Sequence, residues 1–164
     1  MTRGFLILPS LLAMVIAMPS GCITSDDGPT VFLNGKSVPN PATIEALGEG
    51  YSFDYPTLYY NGEASAGVIF DENSEQDDEL KKEIKWLINS SQSGTPDDAL
   101  SVDGIILGSE QSEVLKTFGE PSDREDDLKM WVYREDGQPE DESWLGFEFN
   151  ENDRVSWIGM WINR

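Results

Sequence analysis

Residues 145–163 read LGFEFNENDRVSWIGMWIN, and the predicted architecture is built outward from this segment. Apolar residues alternate on both sides of the turn-forming triplet 150–152, which predicts two antiparallel strands joined by a short turn. In the second strand the same alternation places Trp157 and Trp161 on one face of the sheet. A sheet with large apolar side chains on both faces is either covered twice or exposes a patch to a partner.

One face of this sheet has to lie under a helix. We assign to that face Ile158, Met160 and Ile162, together with Leu145, Phe147 and Phe149. The opposite face then carries the partner-binding candidates, which are Trp131, Tyr133, Trp157 and Trp161. Trp and Tyr dominate the hot spots of protein interfaces, which is why these four residues are singled out. The alternative is that this face packs against the rest of the protein, and a slip of one residue would turn a face over.

A short helix is predicted before the strands in each half of the chain. In the second half Ser109 is the predicted N-cap, and Gly119 is the predicted left-handed stop. In the first half Asn40 is the predicted cap, Pro41 takes the first helical position and Gly48 is the stop.

The two halves therefore resemble each other in the order of their features. The separation along the chain from Gly48 to Gly119 is the same as the separation from Trp86 to Trp157. The alternative is a chance similarity of two α+β segments. We predict an α+β fold of two tandem units, each a short helix packed on an antiparallel sheet. The predicted boundaries are a signal peptide at 1–21, an anchor and tether at 22–30, a first unit at 31–91, a linker at 92–103 and a second unit at 104–164.

The amino-terminal segment is typical of export. Arg3 precedes the apolar run 5–18, which is short for a membrane span, and Ser20-Gly21 then leads into Cys22. This ending resembles the lipobox of bacterial lipoproteins, although Pro19 stands where a Leu is usual. The resemblance implies cleavage before Cys22 and lipid attachment to its sulfur. An ordinary signal peptide followed by a free Cys is the alternative.

Cys22 is the only cysteine, so no disulfide within the chain can form. An Asp directly after the lipidated Cys would favour retention in the inner membrane. Ile23 occupies that position, which favours the outer membrane. The protein would there face the periplasm or the cell surface.

The second helix and the residues that flank it resemble a known family. Gly108-Ser109, Glu113-Val114-Leu115, Gly119 and Pro121, followed by an aromatic strand, are similar to the SmpA/OmlA small outer-membrane lipoproteins. Two such units in tandem resemble the beta-lactamase inhibitory protein family. The resemblance implies two α/β units whose sheets form a protein-binding surface, and it carries over no catalytic residue.

Charge and composition narrow the classes of function. The formal net charge of −20 repels nucleic acid and anionic lipid headgroups, and it favours either a basic protein partner or solvation alone. The chain has no His and one Cys, which excludes Ser-His-Asp and Cys-His catalysis and leaves carboxylate-based hydrolysis open. The acidic run 71–82 fails the calcium-loop pattern, because Gln76 replaces its Gly and Lys82 its Glu. We expect no cofactor and no metal.

These observations predict a lipid-anchored envelope protein that acts as a non-catalytic protein-binding module. It would serve as an inhibitor, an immunity factor or an envelope-assembly accessory. The alternatives are a structural envelope lipoprotein without a partner site and a carboxylate-based hydrolase.

Overall fold

A computed structural model describes residues 29–72, 76–134 and 144–162. The described chain is a mixed α+β fold in which antiparallel sheet dominates and two α-helices are present. The helices are α1 (Ile44–Leu47) and α2 (Gln111–Phe118). The strands are β1 (Val31–Leu33), β2 (Lys36–Ser37), β3 (Tyr51–Asp54), β4 (Thr57–Tyr60), β5 (Glu63–Phe70), β6 (Ile84–Ser90), β7 (Leu100–Val102), β8 (Asp123–Glu125), β9 (Met130–Tyr133), β10 (Leu145–Phe149) and β11 (Val155–Trp161). Single 3₁₀ turns cover Glu79–Lys81 and Asp126–Leu128.

The strands form two sheets. The large sheet has eight strands in the order β3-β4-β5-β6-β11-β10-β9-β8, and the small sheet has the order β2-β1-β7. Each strand of the large sheet pairs with its neighbour in antiparallel fashion, and β6 and β11 form its centre. The strands after α1 and those after α2 thus lie edge to edge in one sheet.

Both helices and the small sheet pack against one face of the large sheet, which we call the inner face. The buried cluster between the layers includes Leu33, Leu100 and Val102 from the small sheet, Ile44 and Leu47 from α1, Val114 and Phe118 from α2, and Leu58, Leu87, Phe147 and Ile158 from the large sheet. The other face of the large sheet, the outer face, is not covered by any element of the described residues.

The hairpin predicted around residues 150–152 is present. β10 pairs with β11, and the backbone N–H of Asn152 donates to the side-chain oxygen of Asn150 at 2.9 Å. The backbone N–H of Asp153 closes the turn on the carbonyl of Asn150 at 3.1 Å. Asn at the first position of a turn makes this kind of local bond, which explains why the triplet was informative.

Both predicted helix stops are confirmed in position, because Gly48 and Gly119 are the C-caps and have positive φ of 90° and 75°. The αL helical conformation predicted for Gly119 was wrong, because its ψ is −159°. The predicted start of α2 was wrong by one residue. The N-cap is Glu110, whose backbone N–H donates to the Glu113 carboxylate at 2.8 Å, while Ser109 Oγ accepts from the N–H of Ile106.

The predicted start of α1 was also wrong. The N-cap is Thr43, whose hydroxyl accepts a bond from the N–H of Ala46 at 3.0 Å, so Asn40 does not cap this helix. The residues just before the helix pair with β6 instead, because the carbonyl of Ala42 accepts a hydrogen bond from the backbone N–H of Ile84 at 2.8 Å. Sheet pairing therefore delays the helix.

The segment 92–103, predicted as a linker, contains β7. Its Leu100 and Val102 have no exposed surface, so this segment contributes to the core. Cys22 and the predicted signal-peptide segment lie outside the described residues. No helix of the described residues is long and apolar enough to span a membrane.

Candidate protein-binding face

The register between strands fixes which side chains share a face, because directly opposed residues point to the same side of a sheet. Trp157 is opposite Ser90, and Trp161 is opposite Trp86. Their neighbours Ile158 and Met160 point to the inner face and are 0% and 3% exposed. Trp157 and Trp161 therefore lie on the outer face, as predicted, and both are partly exposed.

Three tryptophans gather on the two central strands. The rings of Trp86 and Trp161 stack with centroids 6.2 Å apart and an angle of 25° between their planes. Beside them lie Ile88, which is partly exposed, and Ile69, which is 42% exposed. We call this set of five residues, Trp86, Trp157, Trp161, Ile69 and Ile88, the Trp face.

Lys85 lies at the border of the Trp face. Its ammonium group stands 5.1 Å from the centroid of the Trp161 ring, within the range of a cation–π interaction. The bulge between β5 and β6, where Phe70 pairs with Ile84 and Ile69 with Trp86, leaves Lys85 as the extra residue. The face thus already holds one cation against an indole.

Trp157 has a different environment, because glycines occupy the neighbouring positions of the outer face. A β-carbon built on Gly159 would lie 2.2 Å from Cη2 of Trp157, and one on Gly146 would lie 3.1 Å from Cζ3. The indole therefore lies across the backbone of β10 and β11 in space that any larger residue would take. Its carboxylate neighbour is Glu148, which is directly opposite Trp157 on β10.

The prediction that Trp131 and Tyr133 share the outer face was wrong. Tyr133 is opposite Leu145 and Trp131 is opposite Phe147, which places both residues on the inner face. The ring of Tyr133 packs 5.5 Å from that of Phe118 in α2, and only 4% of the residue is exposed. The segment 130–133 reads MWVY, so apolar residues occupy both parities and the sequence offers no signal for its orientation.

Tyr133 is held firmly in this position. Its hydroxyl donates to the carbonyl of Gly119 at 3.2 Å, which ties β9 to the end of α2. Burial raises the pKa of the Tyr133 hydroxyl well above its ordinary value. Trp131 is partly exposed and packs edge-on against Phe149, with the Arg124 guanidinium 5.0 Å from its ring. Tyr133 is thus part of the hydrophobic core, and Trp131 packs at the edge of that core.

Trp86 was missed as a candidate, although the sequence contained the signal. In the predicted repeat it is the counterpart of Trp157, and it occupies the corresponding place in its strand. The predicted repeat therefore indicated that Trp86 belongs with Trp157. The alternation of residues 84–88, which read IKWLI, did not predict its face, because apolar residues occur at both parities.

A cleft lies near the β8 edge of the large sheet. This cleft of about 150 Å³ is lined partly by Arg124, Lys129, Trp131 and Asp153. Its cations are already engaged, since Arg124 stands over Trp131 and Lys129 lies 3.8 Å from the Asp153 carboxylate. Among the described residues no cluster of three or more acidic, His or Cys side chains could hold a metal ion.

A scan against protein-family models found no match, and searches of curated proteins and of solved structures found none either.

Proposed function

We propose that this chain is a lipid-anchored envelope protein that acts as a non-catalytic protein-binding module, as an inhibitor, an immunity factor or an envelope-assembly accessory. The observation that carries the proposal is the Trp face, where three tryptophans and two isoleucines line a sheet face left bare within the described residues. Exposed apolar patches of this kind mark interaction sites, and Trp is the residue most enriched at binding hot spots.

The Trp face lies where the two central strands, β6 and β11, pair with each other, and we call this line of pairing the joint. Its position there supports a role in protein binding. If the sheets of the two halves had packed face to face, Trp157 and Trp161 would have been buried between them. Instead β6 and β11 pair side by side, so the outer faces of both halves form one continuous surface. A rigid sheet holds its side chains in fixed positions, which lowers the entropy cost of binding.

A tandem duplication accounts for this arrangement, and we include it in the proposal. The separation along the chain between the first residues of β6 and β11, Ile84 and Val155, equals the separation between their last residues. In their antiparallel pairing Ile88 is opposite Gly159, which is its own counterpart at that same spacing. A pseudo-twofold axis between these two residues would relate the halves, and the mirrored strand order on either side of the joint supports it.

The lipid anchor rests on the sequence around Cys22. An apolar segment precedes it, small residues adjoin it and no second cysteine is present for a disulfide. Two acyl chains on one residue hold a protein at a membrane stably, because each buried methylene contributes about 0.8 kcal/mol. Mass spectrometry of the mature chain should find Cys22 as an acylated first residue, and a free thiol there would contradict the anchor.

Binding through the Trp face can be tested in extracts of the producing cells. The mature chain is immobilised, and the proteins it retains at low salt are compared among variants. Trp86→Ala and Ile69→Ser, which remove large apolar surface from the outer face, should lose a retained protein. Leu115→Ala, on the exposed side of α2 and 37% exposed in the native protein, is the matched control and should keep it.

Circular dichroism of each variant separates lost binding from lost folding. Folded outer-face variants that retain the same proteins as the control would contradict the proposal. They would favour a structural envelope lipoprotein without a partner site.

A further inference from the structure

The path of the chain toward the anchor begins at the small sheet. The backbone N–H of Thr30 donates to the Asp103 carboxylate at 2.8 Å, and its carbonyl accepts from the N–H of Asp103 at 2.9 Å. Val31 then pairs with Val102 in β7. Thr30 and Val31 are therefore held by β7 and the residue that follows it.

The small sheet lies on the inner side of the large sheet. The side-chain amide of Asn34, just after β1, donates to Ser65 Oγ at 2.6 Å and to the Tyr51 hydroxyl at 3.2 Å. Leu33 and Leu100 are fully buried in the cluster between the layers. Thr30, the last residue of the predicted tether, is therefore attached to the layer opposite the Trp face.

The tether is short relative to the protein. Eight residue steps separate Cys22 from Thr30, and a fully extended chain of that length spans at most about 28 Å. A folded chain of this size has a radius of gyration of about 14 Å, so its diameter exceeds the tether. A lipid at Cys22 would therefore hold the inner layer nearest the membrane and leave the Trp face pointing toward the aqueous compartment.

The charges on the outer face indicate which kind of partner can bind there. Glu148 lies next to Trp157, and Asp123 and Glu125 lie opposite Val132 and Met130 on the same face, where Asp123 is ion-paired with Arg134 at 3.5 Å. Asp54 lies on that face at the other edge of the sheet, opposite Thr57. These carboxylates add to a net charge of −20, so a second copy of the chain or an anionic lipid surface would be repelled.

Glu148 and Trp157 together provide the features that an arginine recognises. The carboxylate supplies a charged acceptor, and the open side of the indole supplies a stacking surface, as Trp161 already does for Lys85. Glu148 makes no ion pair with another described residue. A cationic side chain from outside could therefore bind it directly.

We propose that the Trp face, held away from the membrane, docks a soluble basic protein that places an arginine or lysine against Trp157 and Glu148. This inference rests on the proposed function and adds the class of partner, its direction of approach and a residue that selects it. The partner's apolar side chains would cover Ile69, Ile88 and the stacked pair of Trp86 and Trp161.

Orientation can be measured with the mature chain coupled through Cys22 to a maleimide lipid in phosphatidylcholine nanodiscs. The protein carries 5-fluorotryptophan, and the discs contain a lipid with a gadolinium-chelating headgroup. Fluorine relaxation then reports how near each indole lies to the bilayer. Trp131, on the inner face, should broaden several-fold more than Trp86 and Trp157. Equal broadening, or stronger broadening of Trp86 and Trp157, would overturn the orientation, and the second result would identify the lipid surface as the occupant.

The selecting residue is tested by charge reversal in the retention experiment described above. Glu148→Lys should abolish retention, whereas Glu45→Lys, an equal change of charge at an exposed position of α1, should preserve it. The retained protein should be basic and should occur in the soluble fraction of the envelope. Equal retention by the two variants would refute this inference and leave the proposed function standing. Failure of the unaltered chain to retain any protein would refute the proposed function itself.

Discussion

The indole of Trp157 lies across Gly159, so close that a β-carbon on the glycine would come within 2.2 Å of indole Cη2. Gly159 is opposite Ile88 on the neighbouring strand. Trp86 stacks on Trp161 instead. Trp86 and Trp157, each the third residue of its strand, thus have different neighbours on the outer face.

Replacing this glycine should therefore displace the indole. Gly159→Ala forces the Trp157 side chain out of its position, and overpacking of this kind lowers the free energy of unfolding by about 1–3 kcal/mol. Urea denaturation measures the loss, and tryptophan fluorescence reports the change around Trp157. Because the outer face alone is affected, the far-ultraviolet circular dichroism should stay native.

Gly67→Ala is the matched control on the same face. A β-carbon there would meet Ile88 at 3.5 Å, an ordinary contact, and alanine in a strand is favoured over glycine by about 0.5–1 kcal/mol. This variant should be as stable as the native chain or slightly more so. Equal destabilisation by the two substitutions would show that the position of Trp157 is not the cause.

A buried polar pair ties the central strand to the turn that follows it. Asn89 is 1% exposed, accepts a hydrogen bond from Thr95 and donates to the carbonyl of Pro96 at 3.1 Å. Thr95→Val keeps the shape but leaves the Asn89 oxygen without this donor, which costs about 1–3 kcal/mol of unfolding free energy. Thr57→Val, also in the large sheet but partly exposed, should change stability by less than about 0.5 kcal/mol. Similar losses in the two variants would indicate that the buried pair contributes little.

Alkaline conditions should destabilise the protein through Tyr133. Burial raises the pKa of this hydroxyl in the folded state above the unfolded value of 10.0. The neutral form is therefore favoured by folding, and its contribution is complete below pH 10 and is lost as the pH rises above it. Burial also raises the pKa of Tyr51, which supplies a second part of the slope.

Tyr133→Phe should flatten the fall of stability above pH 10, as followed by urea denaturation at each pH. At neutral pH it should cost about 0.5–1.5 kcal/mol, because the bond to Gly119 is lost. Tyr55→Phe is the control, since Tyr55 is 66% exposed and should leave the slope as in the native chain. A slope that Tyr133→Phe does not change would exclude Tyr133 as its source.

Local chemistry made parts of this fold predictable from the sequence. The hairpin at 150–152, the stops at Gly48 and Gly119 and the face of Trp157 all follow from short-range rules of turns, glycines with positive φ and alternation. The helix starts were less predictable, because pairing of Ala42 with Ile84 involves residues far apart in the chain. Propensity at Asn40 gave no sign of that contact.

The orientation of β9 shows the same limit at the candidate site. Every residue of Met130–Tyr133 is apolar, so only packing of Tyr133 against α2 decides which parity faces inward. Likewise, β7 lies in a polar stretch that is typical of a linker, and it becomes a core strand only through its pairing with β1. Contacts between distant segments decide both cases.

Photo-crosslinking in the producing cells is the sharpest test of the Trp face. p-Benzoylphenylalanine is placed at position 86, within the Trp face, or at position 115, on the exposed side of α2. We expect a discrete adduct with a soluble basic protein at position 86 and none with that protein at position 115. Absence of an adduct at position 86, or the same adduct at both positions, would refute a binding role for the Trp face.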